Sequence, residues 1–247
     1  MELVPIVLAA LVAFAFAVET TLGFGATVIT LSIGSRLLPI TEILPAIVPL
    51  NMALSAFIAI RHRTEIDRRT LFREVLPFMA LGLPPGLWIF NSVEEQLLKR
   101  TLGGFVVLLA AREIYAMRRR RSSPAPAATQ PRLLERVALF VGGTAHGAFG
   151  TGGPLAVYAL GRRGLDKGVF RATLSSLWLL LNFALLTTYW LGDRLSVETA
   201  KLMLPLGVGG CLGLLLGSWA FRRVPEPIFR AAVYALLLLV GLSLVSA

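Results

Sequence analysis

Charge is scarce in this chain and cysteine is nearly absent. Only 15% of its 247 residues are charged while 56% are hydrophobic, and the mean hydropathy is +0.75. A soluble domain needs a charged surface, so that class is excluded. The single cysteine, Cys211, lies in an apolar stretch, which rules out an intrachain disulfide and leaves no metal-ligand spacing. No Lys or Arg precedes Arg36, so Ala15-Phe16-Ala17 lacks the basic region that would make it a signal-peptide cleavage site. The N-terminal stretch therefore reads as mature protein. No phosphate-binding P-loop and no H-E-x-x-H occurs, and G-T-G-G at 150–153 lacks the strand–turn–helix context of a dinucleotide site. The chain does not read as an enzyme, and it calls for no cofactor and no metal.

In place of charge there are long apolar runs. Ile43–Ile60, Val75–Val93, Ala172–Gly192, Leu202–Phe221 and Ala231–Ala247 are uncharged over about the length needed to cross a bilayer. The chain therefore reads as an all-α polytopic membrane protein of the cell inner (plasma) membrane, with the lipid bilayer as its surroundings. The net charge of +10 does not indicate a nucleic-acid partner, because the basic residues cluster in short loops beside apolar spans.

Two stretches break the pattern. One is E-T-T-L-G-F-G-A-T from Glu19 to Thr27, and the other is T-A-H-G-A-F-G-T-G-G-P from Thr144 to Pro154. An offset of 125 (150 minus 25) lays Gly150 on Gly25 and His146 on Thr21. The first half then reads as half-helices Leu3–Leu22 and Ala26–Ser35 meeting at Gly23–Gly25. The second reads as Leu133–Ala145 and Pro154–Leu160 around Gly147–Gly153.

Charge fixes the topology. Arg61, Arg63, Arg68, Arg69 and Arg73 make the 61–73 loop cytoplasmic, as do Arg162, Arg163, Lys167 and Arg171 for the 162–171 loop. The 222–230 loop and the R-R-R-R-S-S-P-A-P linker are likewise basic, whereas the 91–100 and 193–201 loops are charge-balanced. These sides agree only if each broken pair enters and leaves on one face and three full spans follow it. Three is odd, so the halves are inserted in opposite directions and both termini lie outside. The organisation is thus a first transmembrane repeat over 1–117, a basic Pro/Ala-rich cytoplasmic linker over 118–131 and a second repeat over 132–247. Each inverted-topology repeat is a broken or re-entrant helix pair plus three transmembrane helices, and charge alone leaves re-entrant pairs and short full crossings both open.

Corresponding broken segments point to a midplane binding site in a secondary transporter. Glycine lets backbone approach a ligand, and the N–H groups that open a half-helix favour anions. Gly23, Gly25, Gly150, Gly152 and Gly153 are the candidates for two facing anion cradles, with hydroxyls from Thr20, Thr21, Thr27, Thr144 and Thr151. Tight helix packing is the alternative use of those glycines. Asn51 and Asn182, amides in apolar spans, either hydrogen-bond substrate or join helices. Glu19 is an acid inside an apolar segment and His146 can switch charge near neutral pH, so both are candidates for proton coupling. Glu19 could instead hold the neighbouring break by accepting backbone N–H bonds. Gly209, Gly213 and Gly217, with Gly82 and Gly86, read as packing ridges.

H-G-A-F-G-T-G-G-P, the acid-T-T-L-G-x-G segment and the L-P-x-x-x-x-G starts at Leu76 and Leu204 together resemble the TauE/SafE sulfite-exporter family. That resemblance implies a transporter of small sulfur-containing or organic anions (sulfite, an organosulfonate or a related organic acid), coupled to ions or protons without ATP. A passive anion channel built on the same cradles is the alternative, and homo-oligomerisation is left open.

Overall fold

The computed structural model describes residues 3–22, 24–122, 132–161, 165–220, 223 and 226–245. Among the described residues all regular structure is helical, in the order α1 (Leu3–Leu22), α2 (Ala26–Gly34), α3 (Ile40–Arg61), α4 (Leu76–Ser92), α5 (Glu95–Ser122), α6 (Arg132–Phe149), α7 (Gly153–Gly161), α8 (Lys167–Leu191), α9 (Val197–Ala220) and α10 (Glu226–Val245). A π-helical turn, Thr70–Val75, leads into α4. Helices satisfy their own backbone polar groups, which is what a span through hydrocarbon requires. Five helical stretches are long and apolar enough to cross a membrane: Leu3–Thr21, Ile40–Arg61, Thr70–Ser92, Gly168–Leu191 and Val197–Trp219. The uncharged stretch of α5 is shorter, bounded by Lys99 and Arg100 before it and by Arg112 and Glu113 after it. This is a multi-pass helical membrane protein.

Two boundaries differ from the sequence reading. Helix α5 continues to Ser122, so residues 118–121 belong to the helix. Helix α6 continues to Phe149, so His146 and Gly147 belong to the helix and the second break begins only at Gly150. Gly147 is a packing residue: a Cβ there would stand 2.4 Å from the Leu83 carbonyl oxygen of α4.

Small residues decide which helices meet. Gly209, Gly213 and Gly217 of α9 lie against the backbone of Ala9, Ala13 and Ala17 of α1, in rising register, so the two helices run parallel. Gly82 and Gly86 of α4 lie against the backbone around Gly143 and Gly147 of α6, again in parallel. Gly241 of α10 sits between Gly103 and Val107 of α5, while Gly103 sits between Gly241 and Val245. Only an antiparallel crossing lets each glycine enter the groove that lies ahead of the other. Helix α3 packs on α8, and the loop after α3 reaches the start of α8, where Asp67 N–H donates to Thr173 Oγ1 at 3.0 Å.

Helices α3 and α8 are the centre of the bundle, with 61% and 56% of their spans buried against about a third or less in the other three. Leu44, Ile47 and Val48 of α3 and Leu177, Leu181 and Leu185 of α8 are almost wholly enclosed. The periphery shows the opposite character. Leu81, Trp88, Leu108, Leu204 and Leu215 are large, apolar and exposed, as side chains facing lipid are. At the end of the bundle where α4 and α8 finish, Arg194 Nη2 donates to Asn91 Oδ1 at 3.0 Å. The guanidinium lies over the Phe90 ring at 5.6 Å, and Phe90 in turn contacts Tyr189, with ring centroids 5.7 Å apart.

Candidate functional site at the two helix breaks

Helix α1 stops and α2 starts across Phe24 and Gly25; α6 stops and α7 starts across Gly150, Thr151 and Gly152. Among the described glycines, Gly25 and Gly150 are the pair with positive φ, 122° and 61°. They are the residues that the offset of 125 superimposes. A side chain is strained at either φ, and a Cβ at Gly150 would also come within 2.8 Å of Leu44.

The two breaks touch. Gly153, the first residue of α7, faces Phe24, so a Cβ there would stand 2.7 Å from the Phe24 Cβ. Gly150 faces the Thr27 methyl group, which a Cβ would meet at 3.1 Å. Between the breaks lies a cavity of about 20 Å³, room for about one or two waters. Glu19, Gly25, Thr27, Asn51, His146, Gly150, Thr151, Gly152, Gly153 and Asn182 line it. Two aromatic residues complete the wall, Phe24 and Trp178.

Helices deliver these side chains as the sequence dictates. Asn51 sits midway along α3 and Asn182 past the middle of α8, so two buried helices each bring one amide to the same level as the breaks. Trp178 precedes Asn182 by one helical turn and shares its face. The sequence analysis did not single out Trp178, and that one-turn spacing was the signal available. Phe24 was likewise passed over, although it stands between two glycines inside the break.

Glu19 reaches from the last turns of α1 across the break. Its Oε2 accepts the N–H of Ala26, first residue of α2, at 2.9 Å. This is the contact by which the acid holds the break, one of the two roles the sequence left open for it. A carboxylate at a helix N-terminus satisfies an orphan N–H and complements the dipole. Asn51 Nδ2 donates to Thr27 Oγ1 at 2.5 Å, and Asn51 Oδ1 has no partner.

Among the described residues no carboxylate accepts from the second break. His146 is only 2% exposed, its ring is stacked on Trp178 with centroids 5.5 Å apart and planes 15° from parallel, and neither ring nitrogen has a hydrogen-bond partner. Asn182 lies beside it, but the two make no hydrogen bond of acceptable geometry, and Asn182 Oδ1 is also unpartnered. Burying three polar atoms without partners costs about 1–3 kcal/mol each unless something fills the role.

Some expected residues are not at the cavity. Thr20 and Thr21 turn their hydroxyls back onto α1, donating to Phe16 O at 2.7 Å and Ala17 O at 2.8 Å. Helix carbonyls one turn back are the nearest acceptors, so these two threonines do not line the cavity. Gly23 lies outside the described residues.

Broken helices converging on a buried polar cavity, within a bundle of lipid-length helices, define a membrane protein whose candidate site lies at the breaks. The family model for the sulfite exporter TauE/SafE matches residues 8–244. The chain belongs to this family and is a membrane transporter of the TauE/SafE type. It is similar to the probable inner membrane transporter protein TsaS of Comamonas testosteroni, 26% identical over 174 residues that make up 69% of each chain. No solved structure matches it.

Proposed function

We propose that the chain is a secondary transporter that carries a small anion, sulfite or a related organosulfonate or organic acid, through the cavity between the two breaks. One observation carries this reading. The N-terminus of α7 faces a cavity holding a buried histidine with two unpartnered nitrogens, and among the described residues no side-chain acid caps that helix. The N–H groups of the first turn of α7 have no partners within the helix and carry partial positive charge. Pro154 supplies no N–H at the second position, so Gly153 and the break residues Thr151 and Gly152 are the backbone donors. His146, and the Thr151 hydroxyl, add side-chain donors.

Alternating access follows from an inverted repeat. The antiparallel crossing of α5 with α10, which occupy equivalent places in the two halves, supports this arrangement. So does the matched pairing of α1 with α9 and of α6 with α4. The basic loops then face the cytoplasm, both termini face outside, and the protein lies in the inner membrane, as the name of the Comamonas relative has it for that protein. Coupling requires a cation that binds with the anion. A proton on His146, and a cation at Glu19, are the carriers the cavity offers.

Purified protein in proteoliposomes tests this. Sulfite uptake should saturate, show counterflow and respond to a proton gradient. Flux that rises linearly with concentration and ignores every gradient would replace the transporter with a passive channel.

A further inference from the structure

Oxygen is in excess around the cavity between the breaks. Asn51 Oδ1 and Asn182 Oδ1 are buried without partners. Glu19 engages one oxygen with Ala26 N–H, and its half-buried carboxyl group faces the same cavity. No Lys or Arg is among the residues that line it. An acid at membrane depth pairs with a cation or with polar backbone, and here no cationic side chain is within the lining.

Carboxylate, amide and hydroxyl oxygens together are the donor set of a hard cation. One carboxylate balances one positive charge. A divalent ion would leave a net charge buried, which is costly. The cavity of about 20 Å³ favours a small ion that sheds most of its water over a large one. The last carbonyls of α1, which have no partners within the helix, point toward the same break. Half-helix C-terminal ends and unwound carbonyls coordinate sodium in transporters with broken helices, while half-helix N-termini take the anion.

We propose that the first break is a sodium site, with the cation held by the oxygens of Glu19, Asn51 and Asn182 and carried together with the anion at the second break. The two breaks divide the labour. Glu19 holds the cation, and α7 with His146 holds the anion. This rests on the transporter reading of the cavity and adds the identity and place of its coupling ion.

Thermal unfolding of the purified full-length protein in detergent, in NaCl, KCl or choline chloride at equal ionic strength, tests the proposal. Saturating sodium should raise Tm by roughly 3–8 °C over potassium and choline. Glu19→Gln keeps an oxygen that can accept from Ala26 N–H, so it should fold, and it should lose the sodium increment. Asn182→Ser, with direct ²²Na⁺ binding as the readout, provides the second variant and should weaken binding at least about tenfold. Equal Tm in all three salts, an undiminished sodium increment in Glu19→Gln, or full-rate sulfite uptake driven by a pH gradient in sodium-free buffer would each overturn it. A sulfite-dependent rise in Tm without any sodium effect would sink the sodium site alone. A sodium effect without any sulfite binding or transport would instead sink the anion-transport reading.

Discussion

At the first break a carboxylate belonging to the protein fills the N-terminus of the following helix; at the second, that place is open. Glu19 reaches Ala26 N–H at 2.9 Å. The residue 125 positions later is Thr144, whose hydroxyl donates to Phe140 O at 3.1 Å and does not reach α7. Both breaks share a positive-φ glycine and an asparagine from a central helix. The two breaks therefore differ in electrostatic character. The half with a built-in anion suits a cation, and the half with an open helix N-terminus and an unpartnered histidine suits an anion. Two breaks of identical character would bind two like ions; in the proposal above these two bind an unlike pair, and pairing opposite charges lowers the cost of carrying either through a membrane.

The comparison can be broken most severely at His146. His146→Leu retains bulk against Trp178 but removes both ring nitrogens. Because those nitrogens have no protein partners, stability should change little, while sulfite transport should fall at least about 100-fold, on the scale of losing a charged or buried polar anchor. Retained transport would show that the second break is not the anion site.

Gly150→Ala comes next. Its φ of 61° and the 2.8 Å approach of Leu44 leave no room for a methyl group, so destabilisation of about 1–3 kcal/mol is expected. Transport should fall about tenfold or more as the breaks are pushed apart. Thermal unfolding together with uptake checks this, and a neutral result would detach the backbone geometry from function.

Substitutions at Glu19 sharpen the contrast. Glu19→Ala removes a helix-capping acceptor, costing about 1 kcal/mol, whereas Glu19→Gln should cost a few tenths because its amide oxygen can still accept. Both should lose cation coupling. If their stabilities prove equal, the contact with Ala26 is not holding the break.

The smallest effect is expected at Trp178. Trp178→Phe preserves a flat face for His146 and should raise the apparent KM for sulfite about two- to fivefold without altering Tm by more than a degree or two. A larger loss of maximal rate would give the tryptophan a part in the transport cycle itself.

How far the sequence disclosed this arrangement depends on what each residue type can signal. The ends of α1 and the start of α2 were legible because glycines, one ionisable residue and an otherwise uncharged stretch coincide there. The end of α6 was placed too early, since Gly147 fits a helix–helix groove and Gly150 takes a positive φ, and the letter is the same for both. Arg118–Arg121 reads as linker by composition, yet four arginines can also end a helix. The small-xxx-small ridge of Gly209, Gly213 and Gly217 announced close packing without naming α1 as the partner, because partner choice depends on tertiary register. Thr20 and Thr21 looked like donors until their helical phase turned them onto their own carbonyls. Trp178 went unnoticed because an aromatic residue in an apolar helix resembles core until its neighbour on the facing helix is known.

The division of labour between the breaks rests most directly on where sulfite binds. Calorimetric titration of the purified protein with sulfite, comparing wild type, Glu19→Gln and His146→Leu, measures it. Binding that survives in Glu19→Gln within about threefold and disappears in His146→Leu is the predicted result. Binding lost in Glu19→Gln but retained in His146→Leu would contradict it, because the anion would then belong to the first break.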